Sequence, residues 1–334
     1  MVFCAGRGGY RAVVALFTVL EPLHLAEICA IYQVGHPVHT QAIAAGTINS
    51  NFSIRTESGR YFLRVNEGKT VDDVAWEAQL VEWLARHGLP TPAPLPAGNG
   101  AGYLCWRDKL LTLFPWYEGE HLSPAEVTAE HAARLGQTLG QLHRLGQLAP
   151  PSWRRRSQYD HQNLRERYSS FATSDDPALG AAVAWIREAL EYLERNAARR
   201  VGSTETLVHG DLFRDNVLWR GKELVAVLDF EQASGGTAAY DLAVCLNDWC
   251  WSGAPRPDLA AAMLGGYRRE RVLTEGDRAA LPVEVCAAAM RFTVTRITDV
   301  YLARIANPDK DFRDFLARLG AWQSPLLGEF LEAV

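Results

Sequence analysis

His209-Gly-Asp-Leu-Phe-Arg-Asp-Asn216, followed by Leu224-Val-Ala-Val-Leu-Asp229-Phe-Glu231, is the stretch on which the reading of this 334-residue chain turns. A carboxylate, Asp211, stands five residues ahead of an amide, Asn216, and a second carboxylate, Asp229, ends a short aliphatic run. The run has the composition of a buried strand, so Asp229 is expected at its exit. Asn216 and Asp229 offer the oxygen ligands that magnesium, a hard cation, prefers. Asp211 offers an acceptor for the hydrogen of an attacking alcohol. Phosphoryl transfer needs these parts: metal-bound phosphate oxygens held in line with a hydroxyl, and little covalent chemistry from the protein. The bland alternative, a loop with incidental acids, would have to assemble both halves by chance in the right context.

Composition narrows the function classes. Hydrophobic residues make up 48% and charged residues 22%, the balance of a soluble globular protein. The net charge of -5, without a Lys/Arg block, argues against nucleic acid as a partner. Cys4, Cys29, Cys105, Cys245, Cys250 and Cys286 show neither C-x-x-C nor Cys/His ligand spacing, so free thiols are expected and a zinc site is not. No apolar run reaches the roughly 18 residues of a membrane span. Arg7 and Arg11 ahead of residues 12–20 faintly suggest a signal peptide, yet no small-residue cleavage region follows. A cytoplasmic protein, monomeric or homodimeric, with a short extension over residues 1–14 is expected.

Two composition regimes follow. A helix is expected over 23–33, then strands at 41–45, 51–56 and 60–65 joined by tight turns at 46–50 and 57–59. Apolar residues at helical spacing predict a helix over 71–87, stopped by Gly88 and Pro90. Strands at 103–106 and 110–114 complete a small sheet. Ser123-Pro-Ala-Glu126 reads as an N-cap with Pro at N1 and Glu at N3, opening a helix to about residue 145. Further helices are expected over 178–199, 238–251, 257–270, 275–304 and 312–330. The fold class is therefore α+β and two-lobed: a small antiparallel-sheet N-terminal nucleotide-binding lobe (15–116) and a larger, mostly helical catalytic and acceptor-binding lobe (117–334).

These features resemble the protein kinases, whose catalytic segments read H-R-D-L-x-x-x-N and D-F-G. Here they read H-G-D-L-x-x-x-N and D-F-E, departing at Gly210 and Glu231. The resemblance implies ATP and Mg2+ as cofactors. Asp211 would orient the alcohol and capture its proton late, since at an ordinary pKa of about 3.9 it cannot deprotonate an alcohol beforehand. Asn216 and Asp229 would be the metal ligands. Arg214 either neutralises charge on the transferred phosphoryl or pairs with a neighbouring acid. Arg64 stands where kinases place the strand lysine over the phosphates, and Glu77 on the next helix is its natural partner. The turn from Gly46 to Asn51 is a candidate nucleotide loop, and Phe114-Pro-Trp116 a candidate connector meeting adenine. His209 is expected as a structural hydrogen-bonder and Asp241 as a brace for the catalytic loop. Asp248 and Arg296 are candidates to face the acceptor, complementing an ammonium and a carboxylate.

The chain also resembles the aminoglycoside phosphotransferase/choline kinase-like superfamily and, within it, the homoserine kinases of that fold. Tyr240-Asp-Leu-Ala-Val-Cys-Leu-Asn-Asp-Trp-Cys250 and Met290-Arg-Phe-Thr-Val-Thr-Arg-Ile-Thr-Asp299 carry the narrower likeness. It implies ATP-dependent phosphorylation of the hydroxyl of L-homoserine, a step of threonine biosynthesis. Aminoglycosides, choline, methylthioribose and amino sugars are the alternative acceptors of that machinery. A catalytically silent nucleotide-binding module is the alternative of another class, supported only by Arg64 in place of lysine.

Overall fold

The computed structural model describes residues 18–43, 49–305 and 307–322. Two compact units divide the chain: Met1–Glu120 with Val225–Glu231, and His121–Leu224 with Gln232–Val334.

The first unit opens with α1 (Pro22–Ile31) and continues through β1 (Pro37–Ile43), β2 (Ser50–Thr56), β3 (Arg60–Val65), α2 (Val71–Arg86), β4 (Leu104–Trp106) and β5 (Lys109–Pro115). The strands form a five-stranded antiparallel sheet in the order β1-β2-β3-β5-β4. Ile54, Leu63, Leu111 and Leu113 are fully buried and pack with Ile28 and Cys29 of α1. Asn51 pairs with Arg64 across β2 and β3, and Arg64 with Thr112 across β3 and β5, so Arg64 stands on a central strand. Thr70 and Asp73 close a capping box at the start of α2, whose buried stripe is Val74, Ala78, Leu80, Val81 and Leu84. Glu77 breaks that apolar stripe and is buried with it. The first strand begins earlier than expected, at Pro37, and the expected turn at 46–50, Gly46 included, falls largely outside the described residues.

The second unit contains α3 (Ala129–Leu148), α4 (His161–Ser169), α5 (Gly180–Arg195), α6 (Ala197–Arg200), β6 (Glu205–Val208) and β7 (Val217–Arg220). The chain then passes through β8 (Glu223–Val227) and, after Asp229, reaches β9 (Ser234–Thr237), α7 (Ala238–Trp249), α8 (Pro257–Tyr267), α9 (Glu275–Arg296) and α10 (Phe312–Trp322). β6 pairs antiparallel with β9, ending at Val208 opposite Ser234, which delivers the chain into His209.

Two expectations require correction here. Ser123-Pro-Ala-Glu126 closes only a local turn, with the Ser123 N–H donating to Glu126 Oε2 at 2.8 Å. Val127 is buried after it, and α3 starts instead at Thr128, whose hydroxyl accepts from the His131 N–H at 3.4 Å. A reciprocal Ser/Thr cap can close either turn; the buried Val127 decides which one propagates. The late helix expected over 275–304 is helical only to Arg296 and gives way to a π turn at Ile297–Tyr301. There the Thr298 hydroxyl donates back to the carbonyls of Val294 and Thr295, competing with the helical ladder.

α3 and α8 meet backbone to backbone. A Cβ on Gly136 would lie 1.9 Å from the Met263 carbonyl oxygen, and one on Gly266 1.9 Å from that of Ala133. Among the described residues no helix is long and apolar enough to cross a membrane. Cys29, Cys105, Cys245, Cys250 and Cys286 are free thiols.

Candidate active site

In the second unit, residues 209–217 form a loop that nearby side chains hold from several directions. The fully buried Asp241 of α7 accepts from the His209 N–H at 2.7 Å and the Gly210 N–H at 2.8 Å, and His143 Nε2 lies 3.1 Å away. Burial would raise the Asp241 carboxyl, but His143 and the His209 N–H outweigh it and hold it below the usual range. Asp241 is thus the brace the sequence suggests. His209 Nδ1 accepts from the Asp211 N–H at 3.3 Å, a structural bond. Gly210 takes φ +76°, and a Cβ there would come within 3.1 Å of the Gln232 carbonyl. The glycine that departs from the kinase pattern therefore answers to backbone conformation.

The loop carbonyls are held as well. Asn216 Nδ2 donates to the Asp211 carbonyl at 2.8 Å, which leaves the amide oxygen as the end able to ligate. Trp249 Nε1 donates to the Leu212 carbonyl at 2.9 Å. Asp248 takes the Arg214 N–H at 2.9 Å and grips its guanidinium bidentately, through Nε at 3.0 Å and Nη2 at 2.9 Å. Of the two readings of Arg214, pairing with an acid is the one present. Asp248 and Trp249, singled out as a family signature, here fasten the loop that carries Asp211. Arg296 donates to the Asp311 carbonyl at 2.9 Å, pairs with Asp314 at 3.6 Å and lies over the Phe315 ring.

In the first unit the corresponding side chains are held by one another. Arg64 Nη1 meets Glu77 Oε1 at 3.0 Å and Nη2 lies 3.6 Å from Asp229 Oδ1. Lys69, just ahead of α2, pairs with Glu231 at 2.6 Å and Glu77 at 3.7 Å, and Asn49 Nδ2 donates to Glu231 at 3.0 Å. Three carboxylates therefore face two cations. Burial, then the neighbouring Glu231 charge, pushes the Asp229 carboxyl up to about 6 against the pull of Arg64. Glu231, buried too, is held below the usual range by Lys69 and Arg64. The Arg64 guanidinium, disfavoured by burial, is kept firmly charged by Asp229, Glu77 and Glu231.

Asp229 also adopts φ +63°, a left-handed conformation costing an ordinary residue on the order of 1 kcal/mol. Its Oδ1 is buried without a hydrogen-bond partner among the described residues. A strained, excess carboxylate with an unsatisfied oxygen suits a divalent cation, so the residues present fit the metal implied by the sequence.

The remaining first-unit candidates are less informative. Asn51 is buried on β2. The Trp116 N–H donates to the Arg60 carbonyl at 3.0 Å and its ring carries the Arg60 guanidinium at 3.6 Å. Pro115 has no N–H, so this segment presents carbonyls more readily than donors. Lys69 escaped the sequence reading. Its one available signal is rarity, since only Lys69, Lys109, Lys222 and Lys310 stand among the 34 basic residues.

Comparison with known proteins places this geometry. The model of the Phosphotransferase enzyme family matches residues 39–273. A homoserine kinase of Nitrobacter hamburgensis is 32% identical over 320 residues, covering 93% of this chain and 95% of the relative. One from Methylobacterium radiotolerans is 34% identical over 322 residues, covering 91% and 95%. Among solved structures, the amicoumacin kinase hAmiN in complex with AMP-PNP, Ca2+ and Ami superposes with a TM-score of 0.72 at 17% identity, covering 91% of this chain and 93% of that one. A microcompartment-associated aminopropanol kinase gives 0.69 at 17% identity, covering 92% and 98%. These structures share the two-lobed, protein-kinase-like fold. Because the likeness to the homoserine kinases runs the length of both proteins and not over the loop alone, the chain belongs to the phosphotransferase enzyme family and is a small-molecule kinase.

Proposed function

We propose that this protein phosphorylates L-homoserine on its hydroxyl, using ATP and magnesium, as a cytoplasmic enzyme of threonine biosynthesis. The observation that carries the reading is the 32–34% identity to homoserine kinases over more than nine-tenths of the chain.

Asp211 accepts the hydrogen of the acceptor hydroxyl. Its loop is fixed by Asp241, Asp248, Trp249 and Asn216, so little reorganisation is needed as the alcohol attacks. Asn216, through its amide oxygen, and Asp229 hold the metal, which when bound offsets charge on the nucleotide phosphates. Arg64, oriented by Glu77, grips phosphate oxygens, and its planar fork suits them where kinases use lysine. Asn51 would lie along the nucleotide, and Phe114 and Trp116 beside adenine.

A coupled ADP-release assay over L-homoserine, choline, methylthioribose and an aminoglycoside tests the acceptor. Homoserine is expected to give the highest kcat/KM; turnover of another acceptor at tenfold greater kcat/KM would refute it. Tight Mg-ATP binding with no ADP formed on any acceptor would instead indicate a silent module.

A further inference from the structure

Arg291 of α9 is 4% exposed, and among the described residues no carboxylate forms an ion pair with it. Elsewhere, buried Arg64 has Glu77 at 3.0 Å, and Arg271, with a side chain 9% exposed, has Asp277 at 2.9 Å. Arg318 has no ion pair among the described residues but places Nε and Nη1 on the carbonyls of Asn247 and Asp314, each at 2.7 Å. Arg291 has only one end engaged. Nη1 donates to the Gly210 carbonyl and to the Tyr240 hydroxyl. Its faces are covered by rings, with Cζ 4.3 Å from the Tyr159 centroid and 4.2 Å from that of Phe292. Nε is buried without a hydrogen-bond partner, and no carboxylate pairs with Arg291 among the described residues.

Leaving a buried cation unpaired is expensive, and aromatic faces offset only part of the loss. Nε and Nη2, the fork that pairs bidentately with a carboxylate, carry no hydrogen bond among the described residues. Arg291 remains charged because Tyr240, Asp211 and Tyr159 outweigh the effect of burial. Its bond to the Gly210 carbonyl anchors the fork one residue from Asp211. In homoserine, carboxylate and hydroxyl are separated by three C–C bonds of about 1.5 Å each, a span of roughly 5 Å. Arg296, the arginine that sequence alone suggested, already has Asp311 and Asp314.

We propose that Arg291 receives the acceptor's carboxylate and thereby selects small hydroxy amino acids over carboxylate-free alcohols. The proposal rests on the homoserine reading for its ligand, and the test separates the two. ADP release is measured for wild type, Arg291→Lys and Arg291→Gln with L-homoserine and with 3-aminopropan-1-ol, its decarboxylated counterpart. Wild type is expected to favour homoserine by about 100-fold or more in kcat/KM. Arg291→Gln should reduce that ratio to within about threefold, chiefly through the KM for homoserine, and Arg291→Lys should recover part of it.

An unchanged ratio in Arg291→Gln would overturn the proposal and leave Arg291 as a support for Gly210. Equal use of the two alcohols by wild type would overturn it without any variant, even if Arg291→Gln did not fold. If wild type ignores homoserine but phosphorylates another carboxylate-bearing alcohol that Arg291→Gln loses selectively, Arg291 keeps its role and the homoserine reading falls.

Discussion

The Asp211 loop and the Arg64 cluster are two answers to the problem of holding a charged side chain still. The loop in the second unit is fixed by buried side chains bonding to backbone, two N–H groups on Asp241, one N–H on Asp248 and one carbonyl on Trp249. The cluster in the first unit is fixed mainly by ion pairs, Arg64 and Lys69 against Glu77, Asp229 and Glu231, with Asn49 donating to Glu231. Ionisation differs as well: His143 and the His209 N–H hold Asp241 below the usual carboxylate range, while burial and the Glu231 charge push Asp229 up to about 6. Backbone donors fix geometry regardless of what else is bound. Mutual ion pairs fix it only while every partner keeps its charge, which would suit the proposed role of this region in admitting a phosphate and a cation.

The sharpest way to break the contrast is Asp241→Ala. It would leave His143 Nε2 and two buried N–H groups without their partner, and the expected loss is about 3–5 kcal/mol of unfolding free energy in a urea titration. A loss below about 1 kcal/mol would mean the loop is held from elsewhere. Asp211→Asn comes next, and reads on activity: kcat should fall by about 10²–10⁴ with the KM for ATP nearly unchanged. Near-normal kcat would remove Asp211 from the chemistry.

The cluster should behave differently, through coupling. Lys69→Met removes the ion-pair partner of Glu231 at 2.6 Å and Glu231→Gln leaves Lys69 only Glu77, at 3.7 Å, so each is expected to destabilise by about 1–3 kcal/mol. The double variant should fall short of the sum by a coupling of about 1–2 kcal/mol, measured in the same urea titrations. Additive losses would show that Lys69 and Glu231 stabilise the first unit independently, and the contrast with the loop would weaken.

The sequence was most legible where local signals agreed. Thr70, Asp73 and the apolar spacing that follows mark α2, and the run from Arg60 to Val65 is a strand over those residues. The order of Asp211, Asn216 and Asp229 was readable because a loop between short strands keeps its spacing. What the loop bonds to was less so. Asp241 could be guessed as a brace, but the grip of Asp248 on Arg214 depends on how α7 lies, which no local pattern encodes. Ser234-Gly-Gly-Thr237 shows no strand alternation and becomes β9 only because β6 pairs with it. No local pattern marks Arg291 as buried, because burial of an arginine is decided by what packs over it.

The smallest expected effect concerns a carboxylate built the way Asp241 is, but far from the chemistry. Asp277, at the N-terminus of α9, accepts from the Thr204 N–H at 2.7 Å, the Thr274 N–H at 3.0 Å and Arg271 at 2.9 Å. Burial would raise its pKa from 3.8, but those donors outweigh it and lower it to about 2. A carboxyl lowered in the folded state lends stability that is fully present above its unfolded value and fades as pH falls through the folded one. Asp277 should therefore contribute, on the order of 1 kcal/mol, a loss of stability between about pH 4 and pH 2. In Asp277→Asn the acid limb of unfolding should flatten over that window while stability at neutral pH drops. If the limb keeps its slope, the donors around Asp277 are no tighter in the folded chain than water is in the unfolded one, and backbone-held carboxylates lose their claim to be the rigid half of this enzyme.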